Sequence, residues 1–295
     1  MQVGVPAPEA LILPDPSLRF ARTAARLVSL SIGHPMADWL GFMARLASAQ
    51  HAAAGALPSP AVPSLALIEA AVQARRPPLA PEDRPREPEW RAALAAMLDS
   101  VDVSLLPTPA RRAAEALQRR EVDSVDRLAD DFLRDALAAE DAAEALYVAA
   151  ALQVHFTRQA AALPAAALRL LPQRGLCPCC GSTPVSGMVT EAATPRGARY
   201  LHCSLCATAW NHVRAVCITC GESGKLSLQG IDGDAGVVKV ETCGACGTYA
   251  KTIYQARDMA ADPVADDLAS LGLDVLAAEA GWSRHAANPL LLAVG

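Results

Sequence analysis

The chain has 295 residues, a formal net charge of −5 and 52% hydrophobic residues, of which few are aromatic. That length holds one large domain or two ordinary ones, and an apolar content built on alanine and leucine favours helices. No apolar run approaches the roughly 20 residues of a spanning helix. Residues 1–6 lack the basic and apolar regions of a signal peptide, so the expected address is the cytoplasm, where thiols stay reduced.

In chain order, the proline-rich residues 1–17 predict an extended lead-in. Ser17 is the expected N-cap of a helix over 18–32, with Phe20, Ala24, Leu27 and Leu30 on one face. Gly33 fits its stop. Pro35 suits the first turn of a second helix carrying Trp39, Leu40, Met43 and Leu46 at helical spacing, which Pro58, Pro60 and Pro63 end. Ser64 opens a third helical run to about 76. Five prolines between 77 and 88 predict a stiff loop. Helical patterns resume over 89–98, 109–120, 124–138 and 140–162. Residues 18–172 therefore read as an all-helical domain.

The composition changes near Gly175. Short β-rich runs appear at 184–189, 198–201, 225–231 and 237–240, and Asp232-Gly233-Asp234 predicts a hairpin turn. A helical pattern returns over 263–280, with Leu268, Leu271, Leu273, Val275 and Leu276, as a helix that packs back on the body. Charge follows the same divisions. Residues 1–174 carry 18 basic and 20 acidic side chains, 175–257 carry 7 and 5, and 258–295 carry 1 and 6. No segment has the strongly basic balance typical of a nucleic-acid binder. All three lysines, Lys225, Lys239 and Lys251, fall between 215 and 255, for which the sequence offers no reason.

Eight of the nine cysteines form four Cys-x-x-Cys pairs: Cys177/Cys180, Cys203/Cys206, Cys217/Cys220 and Cys243/Cys246. Adding 40 to the first four numbers gives the second four, so the segment is a tandem duplicate, with units expected at 175–214 and 215–255. A Cys-x-x-Cys turn sets two sulfurs on one side of a tight loop, and a following glycine permits the positive φ that the turn needs. Gly181, Gly221 and Gly247 supply it; Ala207 takes the fourth position. Sequential pairing encloses 22 residues in each unit, a ribbon-type spacing. Crossed pairing of Cys203/Cys206 with Cys217/Cys220 encloses only 10. The favoured metal ligands are Cys177, Cys180, Cys203 and Cys206 at site one, and Cys217, Cys220, Cys243 and Cys246 at site two. Four thiolates suit zinc or a single rubredoxin-like iron, and spacing does not choose between them.

The ninth cysteine, Cys179, reads as a partly exposed spare thiol; the alternative is a ligand that exchanges with Cys180. His202 and His212 lie beside the cysteine pairs, where hydrogen bonding is favoured over ligation. Trp210, Tyr249 and Tyr254 read as hairpin core, with base stacking as the alternative. Trp39, His34, His202 and Trp210 are candidates for a partner surface. The sequence holds no Ser-His-Asp order, phosphate-binding glycine loop or His-Glu-x-x-His helix, so no catalytic residues are assigned. A closed four-cysteine site also argues against hydrolytic zinc, which keeps an open position.

The expected architecture is α+β multidomain: an all-α N-terminal domain, two tandem rubredoxin-like or zinc-ribbon β units, and a C-terminal helix and tail over 256–295. With these flanks the chain resembles the bacterial FdhE family of formate dehydrogenase accessory proteins. The resemblance rests on Phe20-Ala21-Arg22, Gly33-His34-Pro35, Trp39-Leu40, Cys177-Pro178-Cys179-Cys180-Gly181-Ser182, Tyr200-Leu201-His202-Cys203, Arg214-Ala215-Val216-Cys217, Glu241-Thr242-Cys243, Cys246-Gly247-Thr248-Tyr249, Asp266-Asp267-Leu268 and Asn288-Pro289-Leu290-Leu291. Cys179 and Ala207 depart from the family's pattern. The resemblance implies a cytoplasmic, non-enzymatic maturation factor that contacts the catalytic subunit of formate dehydrogenase, with iron at rubredoxin-like motifs. An electron-transfer protein and a nucleic-acid-binding zinc ribbon are the alternatives. Homo-oligomerisation is left open.

Overall fold

A computed structural model of the chain describes residues 7–83, 88–191 and 195–291. Residues 84–87 of the predicted proline loop and 1–6 of the lead-in lie outside them. The remainder of the lead-in is not featureless, since Leu11–Ile12 form a short strand, β1.

Among the described residues the α-helices that follow are α1 (Pro16–Ser31), α2 (Ala37–Ala56), α3 (Leu65–Gln73), α4 (Glu89–Ser100), α5 (Thr108–Arg119), α6 (Val122–Leu133) and α7 (Ala142–Ala161). Asp15 rather than Ser17 caps α1, its carboxylate accepting from the Ser17 amide at 2.9 Å. Pro16 then takes the first helical position, where its missing N–H costs nothing. Pro35 precedes α2 in a turn closed by the Met36 amide, which donates to His34 Nδ1 at 3.0 Å. Ser64 caps α3 as its sequence position suggests. Phe20, Ala24 and Leu27 of α1 and Leu40, Met43 and Leu46 of α2 are buried. Helix α7 is apolar over most of its circumference and runs through the middle of this core. An all-round apolar helix must be buried on all sides, and the other helices pack around it.

The second half is one sheet. Its strands are β2 (Pro184–Thr190), β3 (Ala198–Cys203), β4 (Ala209–Asn211), β5 (Leu226–Gln229), β6 (Val238–Cys243), β7 (Thr248–Tyr254) and β8 (Ser283–Arg284). Strands β2, β3 and β4 form one antiparallel ribbon, and β5, β6 and β7 form the other. The order β1-β4-β3-β2-β7-β6-β5 fuses them, because the first strand of one ribbon pairs in parallel with the last strand of the other. The sequence did not announce this pairing. β3 and β6 stand 40 residues apart at both ends, so the repeat of the cysteines is also a repeat of the strands. The predicted Asp232-Gly233 turn joins β5 to β6, with Gly233 at φ +85°.

The predicted C-terminal helix is two short ones, α8 (Ala265–Ala269) and α9 (Leu271–Glu279). They return to the helical body and to the second ribbon. Arg26 of α1 pairs with Asp258 and Asp266, each at 2.7 Å. Buried Lys251 of β7 pairs with Asp274 at 2.5 Å and Asp267 at 3.4 Å, and Arg284 completes a balanced set of two cations and two carboxylates. Lys251 is thus a buried counter-ion, which accounts for one of the three clustered lysines. Arg199 of β3 reaches across two strands to Glu241 of β6, a buried pair at 2.9 Å that ties the ribbons together. No helix among the described residues is long and apolar enough to cross a membrane.

Candidate metal centres

Each ribbon carries its cysteines on two tight turns. One turn precedes its first strand and the other joins its last two strands. In the first turn the Gly181 amide donates to the Cys177 carbonyl at 2.9 Å, and in the second unit the Gly221 amide donates to the Cys217 carbonyl at 3.0 Å. The Cys177 and Cys217 amides likewise bond the Ser182 and Glu222 carbonyls. Gly181, Gly221 and Gly247 all have positive φ, and Ala207 adopts the same conformation at +58° despite its Cβ. Amides point at sulfur, as from Cys179 to Cys177 Sγ at 3.4 Å and from Cys206 to Cys203 Sγ at 3.3 Å. Such donors stabilise thiolate.

These turns bring Cys177, Cys180, Cys203 and Cys206 together, and separately Cys217, Cys220, Cys243 and Cys246, with all four sulfurs of each set within 4.8 Å of one another. At site one the Cys177–Cys206 and Cys180–Cys203 sulfur separations are 3.5 and 3.4 Å. At site two, Cys217–Cys246 and Cys220–Cys243 are 3.8 and 3.7 Å. A tetrahedron with metal–sulfur bonds of about 2.3 Å has edges of about 3.8 Å. Both sets fit one four-coordinate ion of the thiophilic kind, and the sequential grouping of cysteines is the one the fold makes. Each set also receives a threonine hydroxyl: Thr208 Oγ1 lies 3.2 Å from Cys206 Sγ and Thr248 Oγ1 lies 3.1 Å from Cys246 Sγ.

The surroundings differ. Site one's sulfurs belong to the main hydrophobic core, all four residues at most 2% exposed. Gln50 of α2 donates to Gln153 of α7 at 2.9 Å, and Gln153 donates to the Ser204 carbonyl at 2.7 Å, inside the second turn of that site. The Leu79 amide donates to the Cys179 carbonyl at 2.8 Å. At site two Cys220 is exposed and Cys246 half-buried. A cavity of about 500 Å³ opens beside it, lined in part by Arg174, Asn211, His212, Cys217, Cys220 and His285. Gly175 lets the two units approach, since a Cβ there would meet the Ile218 carbonyl oxygen at 2.2 Å.

Cys179 corrects an expectation. It is fully buried in the core rather than partly exposed. Trp210 is also internal, its indole donating to the Arg174 carbonyl at 2.8 Å, and so is Tyr249. Neither offers a surface for a partner or a base. His34 bridges the body to the C-terminal segment through the Ala269 carbonyl at 3.0 Å. Burial pushes His202 down to about 4; Asp262 opposes this shift and Arg19 adds to it. Burial and Arg199 push His212 down to about 4. Both stay neutral near pH 7, and neither joins a sulfur cluster.

Three residues around site two carried little or no signal in the sequence. His285 Nδ1 lies 2.7 Å from Thr219 Oγ1, which lies 2.9 Å from Thr248 Oγ1, the hydroxyl that reaches Cys246. The 40-residue offset sets Thr219 opposite Cys179, and that comparison could have marked it. His285 lies outside the repeat.

The fold and its two clusters define a tandem four-cysteine ribbon protein on a helical platform. Family models described as FdhE N-terminal, central and C-terminal match residues 8–172, 176–214 and 215–291. The chain belongs to the FdhE family. It is 38% identical to a protein named FdhE homolog from Edwardsiella ictaluri, covering 95% of this chain and 91% of that one. It is 34% identical to protein FdhE of Escherichia coli, covering 95% and 90%. The crystal structure of the FdhE protein from Pseudomonas aeruginosa superposes with a TM-score of 0.84 at 34% identity, covering 96% of this chain and 98% of that one.

Proposed function

We propose that this protein is a cytoplasmic, non-catalytic maturation factor for respiratory formate dehydrogenase that binds its catalytic subunit. The observation that carries the reading is the closed geometry of the two sulfur clusters. Four thiolates fill a tetrahedron and leave no position for a substrate or a water, so a metal held there shapes a surface or senses its surroundings. All eight paired cysteines are the proposed ligands, with one iron or zinc ion in each set. Family membership supplies the client by analogy.

The test is affinity capture of the catalytic subunit by the full chain, prepared without oxygen and again after metal removal. Capture by the metal-loaded chain is expected, with two equivalents of metal per chain. Absence of capture in both states overturns the reading. The exposed Cys220 favours electron transfer as a second reading. Iron-loaded protein that is coloured and bleaches on reduction would support it; a native, colourless protein with two zinc ions would remove it.

A further inference from the structure

We propose that site two is the exchangeable metal centre of this chain, and that His285 is a positioning residue holding its Cys246 ligand through Thr219 and Thr248. The inference rests on the metal reading above and concerns what separates the two sites. A metal-bound thiolate has no proton, so the Thr248 hydroxyl donates to Cys246 Sγ across 3.1 Å. Thr248 then accepts from Thr219 across 2.9 Å. Thr219 in turn accepts from His285 Nδ1–H across 2.7 Å. Each hydroxyl has one proton to give, so the whole chain points one way, toward sulfur. Such outer contacts fix ligand geometry and tune the metal.

Site one lacks this device. Its Thr208 reaches Cys206 in the same way, but Cys179 stands where Thr219 stands in the second unit. Site one is instead shut by the helical core, whereas Cys220 faces solvent beside the 500 Å³ cavity. An incoming chelating or thiol-bearing ligand meets a sulfur at site two and a wall at site one. Exchange is a ligand substitution without electron transfer. The metal–sulfur bonds break, bonds from the metal to the incoming donors form, and the freed thiolates take protons from water. The hydrogen-bonded relay slows that step by keeping Cys246 on the metal.

The test is a challenge of the full chain, loaded with two equivalents of zinc, by a chromogenic pyridylazo chelator. Two phases are expected, with one equivalent leaving about tenfold faster or more, because the incoming ligand reaches the exposed Cys220 without opening the core; about 1.4 kcal/mol of barrier difference sets that ratio. Cys220→Ser removes the fast equivalent. Thr219→Val and His285→Ala quicken the fast phase about fivefold, by loss of one hydrogen bond, and leave the slow phase unchanged; Thr219→Ser restores the original rate. In cobalt-loaded protein His285→Ala shifts the sulfur-to-metal absorption of one site while both equivalents stay bound, which a merely structural histidine would not do. Single-phase release, a fast equivalent that survives Cys220→Ser, or a fast phase indifferent to Thr219→Val overturns the inference and leaves the metal reading standing. Failure of the native chain to take up two equivalents overturns both.

Discussion

The two ribbons share their cysteine turns, a six-residue middle strand and their sulfur grouping, yet one is walled into a helical core and the other faces water. Local sequence therefore builds the site, and tertiary surroundings decide how accessible it is. Site one is held by a polar chain, Gln50 to Gln153 to Ser204, and by apolar contacts around its cysteines. Site two is held by ion pairs, with Lys251, Asp267, Asp274 and Arg284 tying its last strand to the C-terminal helices. A buried, hydrogen-bonded polar chain specifies one docking geometry, and a buried ion-pair set does the same at a higher desolvation cost.

The hardest blow to this comparison is loss of a ligand on each side. Cys206→Ser is expected to lose one equivalent of metal and on the order of 5 kcal/mol or more, since bound zinc supplies about 10–16 kcal/mol to a small finger. Cys220→Ser is expected to lose one equivalent with about half that fall or less, because its site lies outside the core. Metal analysis and denaturant midpoints measure both; equal falls would erase the asymmetry. Next is Lys251→Met, which leaves two carboxylates facing one cation and costs about 3–5 kcal/mol. Its effect should fall on the second ribbon, read as faster hydrogen exchange in β7 than in β3.

Gln153→Leu cuts the other tie. It leaves the Ser204 carbonyl buried without its donor and the Gln50 amide with only the Ala150 carbonyl, for about 1–3 kcal/mol, and should loosen site one while sparing site two, read as faster chelator release of the slow equivalent alone. The smallest change runs the other way. Ala207→Gly relieves a positive φ at the one turn without glycine, and a gain of about 0.5–1 kcal/mol is expected in the thermal midpoint. A loss would mean that the Ala207 methyl contributes more by packing than its backbone strain costs.

Much of this was legible. The grouping of the cysteines followed from spacing, because a ribbon turn and a metal radius leave few alternatives. The helical half followed from apolar periodicity and from prolines that cannot continue a helix. Four things were not. The short strands β1, β4 and β8 are too brief to show an alternating pattern. The parallel pairing of β2 with β7 joins segments about 65 residues apart and has no local signature. The burial of Cys179 depends on a helical domain that sits on only one of two similar units. His285 reaches site two only because α8 and α9 lead the chain back, which spacing within the repeat cannot report.

The short strand β1 sets a clock on synthesis. Leu11 pairs with Trp210, so the sheet's outer edge waits for about 200 further residues to leave the ribosome, roughly 10–40 s at 5–20 residues per second. In that interval the helical half is complete while the pocket that receives the first cysteine turn is still empty. The order of emergence therefore lets site one form against a finished wall. Site two's cysteines emerge later and lie outside that wall.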